Sequence, residues 1–334
     1  MVSKLVTIVL YVLFVKKNLN RMSTIDISGK KPIFNHGPRR DRLYKTARHD
    51  VKVSEPVINF SVCFGEAQLS TTTNHQLIHW DTASKKAMKK DLLGEEPLSI
   101  RIQGNPYSVV MRTPGDEIPL VAGFCLTEGI IDTPHDYTSI AFCDGEDTNV
   151  VAVTLNPSRR EQIAGILDRR GFISQSSCGL CGKELVKDLF QIIQPLNDDI
   201  RIDIKKALAC LETLAQHQPL RKQTRAAHAA ILYNSNFKQL AKAEDVGRHN
   251  ALDKAIGMAF LDRTLDQAAL LILSSRISYE LVQKAARARI PVILAISRPT
   301  ALAVDLASEL NITLATLADG PGLYIFCGAE RLTQ

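Results

Sequence analysis

The chain of 334 residues has no second cysteine pair to match its single C-x-x-C at Cys178 and Cys181. A structural zinc site usually draws four ligands from two such pairs, so no metal centre is expected here. The cysteines are also too scattered for a disulfide scaffold. The seven (Cys63, Cys125, Cys143, Cys178, Cys181, Cys210 and Cys327) are odd in number and irregularly spaced, which fits a protein kept in a reducing cytosol. Strong charge bias is missing: 41 Lys and Arg face 35 Asp and Glu, a net charge of +6. That balance is not the footprint of an obligate nucleic-acid binder, and it suits an anionic small ligand or an acidic partner protein. The N-terminal apolar run "LVTIVLYVLFV" (5–15) is too short to cross a bilayer as a helix. Its length would suit a signal-peptide core, but no small-residue cleavage site follows. Met22 opens the polar stretch beyond it. Translation is expected to start there, or the segment to be dispensable. No internal repeat is present.

Hydrophobic residues make up 45% and charged residues 23%, ordinary for a soluble globular protein. Residues 16–92 are polar and weakly periodic, so "KKPIFNHGPRRDR" and "TASKKAMKKD" read as solvated, mobile chain. A short strand is expected within 55–69, and residues 1–90 as a whole read as a poorly ordered extension. Order begins near Glu95. "LSIRIQ" and "YSVVM" flank Gly104-Asn105-Pro106 as a hairpin, and "TSIAFC" and "NVVAVTL" form another. Between them, 117–129 has helical spacing with Gly129 at the C-terminal cap. These pieces make an α+β subdomain over 91–157. A helical segment over 158–206 carries the C-x-x-C in a glycine-rich connection before a helix. From 207 to the C-terminus strands and helices alternate: strands at 227–234, 269–275, 291–297 and 313–318, helices at 250–262, 279–289 and 300–311. The expected class is α/β, a parallel or mixed sheet with helices on both faces.

Three segments carry chemistry. In "SQSSCGLCGKE" (174–184) a following helix N-terminus and Lys183 would both favour the thiolate of Cys178 or Cys181. Such pairs reach pKa values of ~7 or below. Gly179 and Gly182 let the loop move and let a bulky partner approach. In "AEDVGRHNALDKAIG" (243–257), Asn250 is expected to cap the helix, with Asp253 reaching back as in a capping box. Arg248 and His249 lie ahead of that cap and suit an anion or phosphate. In "LILSSRIS" and "LAISRPT", apolar strands run into Ser-Arg pairs: Ser274, Ser275 and Arg276, then Ser297 and Arg298. Ligands of open α/β sheets gather at such carboxyl ends. His228 reads equally well as a core histidine or a functional one. Zinc deamination needs H-x-E followed by P-C-x-x-C. Here the order is reversed and Ala229-Ala230 follows His228.

Taken in order, "EEPLSIRIQG", "RTPGDEIPLVAGFCLTEGII", "SSCGLCGK", "AEDVGRHNALDKAIG" and "SSRISYELVQKAARARIPVILAIS" resemble the FdhD family of sulfur carrier proteins. The likeness runs from about Asp91 to the C-terminus. It implies a cytidine-deaminase-like mixed sheet without zinc chemistry, in a cytoplasmic homodimer. It also implies a carrier-type sulfurtransferase that takes sulfur from a cysteine desulfurase of the IscS type. The sulfur would pass to the molybdenum (or tungsten) bis-molybdopterin guanine dinucleotide cofactor before this enters apo formate dehydrogenase. Cys178 matches the family's persulfide-carrying cysteine, and Cys181 would assist or resolve. The cofactor's guanine-nucleotide phosphates would lie against Arg248, His249, Ser275 and Arg276, with the loop Leu317, Ala318, Asp319, Gly320, Pro321 and Gly322. Two departures stand out. Arg225 and Ala226 replace glycines, and Asp319 and Gly322 occupy a loop that in the family carries arginines. Asp319 is expected to repel phosphate. Two alternatives stand beside the carrier: a dithiol–disulfide oxidoreductase, since C-G-L-C has thioredoxin's spacing, and a non-catalytic cofactor chaperone.

Overall fold

The structure, a computed structural model, describes residues 70–143, 149–164 and 193–334. The strand expected within 55–69, the apolar run near the N-terminus, the C-x-x-C loop and the helix expected after it lie outside the described residues. All described residues belong to one compact unit, Phe64–Gln334.

The chain is described from a two-stranded antiparallel hairpin, β1 (Thr72–Trp80) and β2 (Lys85–Leu93). Mobile chain was the expectation here, because neither strand alternates apolar and polar residues. The hairpin is held by its ladder and its turn. Asp81 accepts the backbone N–H groups of Ala83 and Ser84, an Asx-type turn. Lys85 lies 4.0 Å from the ring centre of Trp80. At its base Asp91 accepts from Asn74 and Gln223, each at 2.9 Å.

Next come β3 (Glu96–Ile102), β4 (Asn105–Arg112), helix α1 (Glu117–Thr127), β5 (Tyr137–Phe142), β6 (Val150–Leu155) and α2 (Pro157–Gln162). The strands form a sheet in the order β4-β3-β6-β5, with both expected hairpins in it and β3 parallel to β6. Leu98, Ile100, Ile102, Val151, Val153 and Leu155 alternate onto its inner face against α1. Each such buried side chain contributes about 1.5–3 kcal/mol.

The larger layer follows β7 (Ile202–Asp203), α3 (Ile204–Glu212) and α4 (Pro219–Thr224). It comprises β8 (His228–Asn234), β9 (Gln239–Asp245), α5 (Arg248–Leu261), β10 (Ala268–Leu273), α6 (Tyr279–Arg287), β11 (Val292–Ala295), α7 (Ala301–Glu309), β12 (Thr313–Leu317) and β13 (Leu323–Cys327). A short β14 (Leu332–Thr333) pairs with β7. The six long strands order as β13-β12-β11-β10-β8-β9. β10, β11 and β12 are parallel, while β8, β9 and β13 run antiparallel to their neighbours. Along β8, Ala230 and Leu232 face a core shared with α1, α5, α6 and α7, and Ala229, Ile231 and Tyr233 face α3. Both faces are therefore covered, which is why these strands read as unbroken apolar runs.

The two sheets meet through α1 and α5, and glycine makes the meeting possible. A Cβ on Gly123 would stand 1.9 Å from the Asp253 carbonyl oxygen, and one on Gly257 would stand 1.8 Å from that of Pro119. Only bare backbone fits. Beside the crossing, the Lys284 ammonium donates to Asp253 Oδ2 at 2.8 Å and to Thr127 Oγ1 at 2.9 Å. Burial works against that ammonium, but Asp253 and Glu128 outweigh it and hold its pKa above the ordinary lysine value. This corrects the capping-box expectation for Asp253, which faces inward to α1 and α6. Asn250 is not the cap either. The helix begins one residue after Gly247, so Asn250 lies inside its first turn. Its amide is drawn to the Met111 carbonyl at 2.7 Å.

Gly257→Ala should destabilise the protein by at least about 2 kcal/mol, because two backbones would have to separate. Urea unfolding measures this; an unchanged midpoint would contradict the close crossing.

Candidate functional site

The carboxyl ends of β10, β11 and β12, the start of β8 and the end of β9 share one edge of the sheet. His228 pairs with Asp245 across β8 and β9. Ser274 Oγ accepts the Ala229 N–H at 2.8 Å, tying β10 to β8. The loops after β10 and β11 run side by side, with Thr300 N donating to Ile277 O at 3.0 Å. Three helices, α5, α6 and α7, start at this edge, so unpaired helix N–H groups converge there.

Asp245 fixes the centre of the edge. It is fully buried, and both its oxygens are used. Oδ1 accepts from Gly247 N at 2.9 Å and from Asn250 Nδ2 at 3.0 Å. Oδ2 accepts from Thr113 N at 3.0 Å and from Lys254 Nζ at 2.8 Å. Lys254, also buried, donates to the Thr113 carbonyl at 2.8 Å. A buried charge pair of this kind needs hydrogen bonds in place of water, and here the backbone of Thr113 and Gly247 and the Asn250 amide supply them. The turn bearing Arg248 and His249 is thereby locked to the loop after β4.

His249 Nε2 stands 2.7 Å from Glu280 Oε2, in the first turn of α6. The close approach of His249, foremost, holds the Glu280 carboxyl below the ordinary value against burial, with help from the charge of Arg248. His228 is shifted downward, first by burial and then by the charges of Arg221 and Arg248, against the pull of Asp245. It is therefore neutral near pH 7. The Nδ1 of His228, the Nε of Arg248 and the Oγ of Ser278 are buried atoms with no hydrogen-bond partner in the described residues. Unmet polar groups gathered at one edge suit a polar ligand.

Arg248 and His249 stand inside the first turn of α5, not ahead of its cap as expected, because Gly247 is the cap. Ser275 is buried, and its hydroxyl donates to the Arg276 carbonyl at 3.0 Å, which shapes the loop. Arg276 is exposed beside it. The loop 317–322 is closed by Ala318 N donating to Gly322 O at 3.0 Å, with Gly322 at φ 104°. Asp319 is paired with Arg298 at 2.6 Å. Its charge is offset in place, which weakens the expected repulsion of phosphate. Arg225 adopts the left-handed conformation at φ 60°. Cys178 and Cys181 lie outside the described residues. Thr113, Lys254 and Glu280 were not read as site residues. The one signal for Glu280 was its place in the first turn of a helix leaving a strand end.

Comparison with known proteins settles the family. The model of the FdhD/NarQ family matches residues 93–333. The chain belongs to the FdhD/NarQ family. The sulfur carrier protein FdhD of Mycobacterium tuberculosis is 36% identical over 274 residues, covering 78% of this chain and 99% of that one. The sulfur carrier protein FdhD of Streptomyces coelicolor is 38% identical over 251 residues, covering 72% and 88%. A crystal structure from Desulfotalea psychrophila, of a protein proposed as a formate dehydrogenase accessory protein, shares the fold. Its TM-score is 0.64 at 22% identity, covering 79% of this chain and all of that one. Among the described residues of this FdhD/NarQ member, no helix is long and apolar enough to cross a membrane.

Lys254→Met should cost about 3–5 kcal/mol, because it strands the buried charge of Asp245. A loss under about 1 kcal/mol in urea unfolding would contradict the locked turn. Glu280 titrates lower in the folded chain than in the unfolded one. Its stabilisation is therefore present above the ordinary carboxylate range and disappears as pH falls through the lowered value. The stability gap between the wild type and Glu280→Gln should accordingly be widest near neutrality and close as pH falls through the lowered carboxyl's titration. A gap that does not change with pH would exclude the His249 pairing as its source.

Proposed function

We propose that this protein is a carrier-type sulfurtransferase serving formate dehydrogenase maturation. A cysteine desulfurase of the IscS type presents a persulfide, and the Cys178 thiolate attacks its terminal sulfur. The new S–S bond forms on Cys178 as the donor's breaks, and the donor leaves as a thiolate. Cys181 assists or resolves. Attack of the Cys181 thiolate on the inner sulfur then forms a Cys178–Cys181 disulfide as the persulfide bond breaks, releasing the outer sulfur at the sulfide level to the molybdenum (or tungsten) bis-molybdopterin guanine dinucleotide, the substrate, before apo formate dehydrogenase receives it. The cytidine-deaminase-like reading of the larger sheet, a homodimer and a cytoplasmic location belong to the same proposal.

The observation that carries the reading is the strand-end edge. Arg248 and His249 are fixed there by Asp245, and the Nε of Arg248 and Nδ1 of His228 have no partner in the described residues. These donors, with exposed Arg276 and three helix starts, fit the diphosphate of a guanine nucleotide. His228, held neutral, can donate or accept without adding charge. The family's carriers supply the sulfur chemistry, and the single C-x-x-C supplies the residues for it.

Incubation with a cysteine desulfurase and cysteine, followed by intact-mass and peptide analysis, tests the proposal. One added sulfur on Cys178 is expected, and Cys178→Ala should take up none. A reversible Cys178–Cys181 disulfide with no sulfur added would point to dithiol redox chemistry instead.

A further inference from the structure

At the other end of α5 from the strand-end edge lies a second cavity, of about 370 Å³. A helix of this length puts the two roughly 20 Å apart. The C-terminal ends of α1, α5 and α6, the segment Asp132–His135 and the residues entering β10 and β11 border this open pocket. Phe260 and Leu265 give it an apolar wall, and Arg263, Arg287 and Arg289 line it as well.

The arginines differ in availability. Arg287 is committed to Asp132 at 2.5 Å. The guanidinium of Arg263 makes no hydrogen bond or ion pair in the described residues. Arg289 makes one hydrogen bond, to the Gln194 carbonyl at 3.3 Å, and pairs with no carboxylate there. The lining also holds two carboxylates, Asp132, which Arg287 engages, and Asp266.

The backbone gives a second, independent indication. Among the described residues, four helices end in the same closed motif, with a left-handed residue after the last turn and a backbone bond from the residue beyond it; α4 is followed by left-handed Arg225 without that bond. At α1 that residue is Gly129 (φ 76°) and at α7 it is Asn311 (φ 55°), both suited to it. At α5 and α6 it is Arg263 (φ 56°) and Arg289 (φ 59°). The motif is complete at each: Thr264 N donates to Ala259 O at 2.8 Å and Ile290 N to Ala285 O at 2.9 Å. Arginine is disfavoured in this conformation, and glycine would relieve it. Both of these strained arginines line the one cavity, while the third left-handed arginine, Arg225 after α4, does not.

We propose that this cavity is a binding site for a small amphipathic anion, an organic phosphate or carboxylate with an aromatic or short aliphatic body. The anionic head lies between Arg263 and Arg289 and the body against Phe260 and Leu265. The site is separate from the nucleotide edge and does not depend on the function proposed above.

Titration calorimetry on the full chain tests this, with phenyl phosphate and benzoate as probes and inorganic phosphate as the headgroup control. Thermal unfolding without ligand is followed in parallel. Phenyl phosphate or benzoate should bind at least tenfold more tightly than inorganic phosphate, and which of the two binds identifies the head. The Arg263→Gly/Arg289→Gly variant should lose at least tenfold in affinity while its ligand-free Tm stays level or rises. Arg248→Ala should leave that affinity unchanged. The proposal is overturned if neither probe binds, if inorganic phosphate binds equally well, or if Arg248→Ala removes the binding. Unchanged affinity in the double glycine variant, or a fall in its ligand-free Tm, would overturn it too.

Discussion

The site hangs on the buried contact between Asp245 and Lys254. A carboxylate and an ammonium removed from water lose their hydration, and hydrogen bonds inside the protein must replace it. Here the replacing groups are Thr113 N and O, Gly247 N and the Asn250 amide. They come from two regions far apart in sequence, the loop after β4 and the turn before α5. The pair therefore acts as a clamp. It joins the smaller sheet's α1 approach to the larger sheet's edge, and it leaves Arg248 and His249 at the surface of that clamp.

The glycine crossing and the Lys284 cluster make the clamp possible. Gly123 and Gly257 bring α1 and α5 to backbone contact, so Thr113 can reach Asp245. Lys284 then couples α6 to the same pair of helices through Asp253 and Thr127. As α6 also carries Glu280, the partner of His249, the three helices are held as one piece behind the edge. A ligand arriving there meets a surface whose order is already set, which favours binding without large rearrangement.

Much of this was legible in the sequence. The alternation of β8, β10, β11 and β12 with their helices, and the two hairpins of the smaller sheet, follow from apolar periodicity. Arg248 and His249 were visible because glycine, a cation and an imidazole stand at a helix start. What was not legible depends on partners distant in sequence. Asp253 looked like a capping residue because a carboxylate near a helix start normally is one, and nothing local reveals Lys284 as its partner. Thr113 carries no signature at all, since its backbone groups and its hydroxyl meet Asp245, Lys254 and Val246 only through the fold. Asp319 looked repulsive because its pairing with Arg298 joins two separate loops. The hairpin β1–β2 was hidden because its polar strands are stabilised by their ladder and turn, which leave no hydrophobic pattern.

The central claim is that the strand-end edge receives a guanine nucleotide on a preset surface. Hydrogen exchange of the full chain with and without guanosine diphosphate measures it most directly. The account predicts slowed exchange confined to the turn around Gly247–His249, the 274–280 segment and the 317–322 loop, with α1 protected equally in both states. Protection elsewhere, or none at these segments with nucleotide in excess, would contradict it.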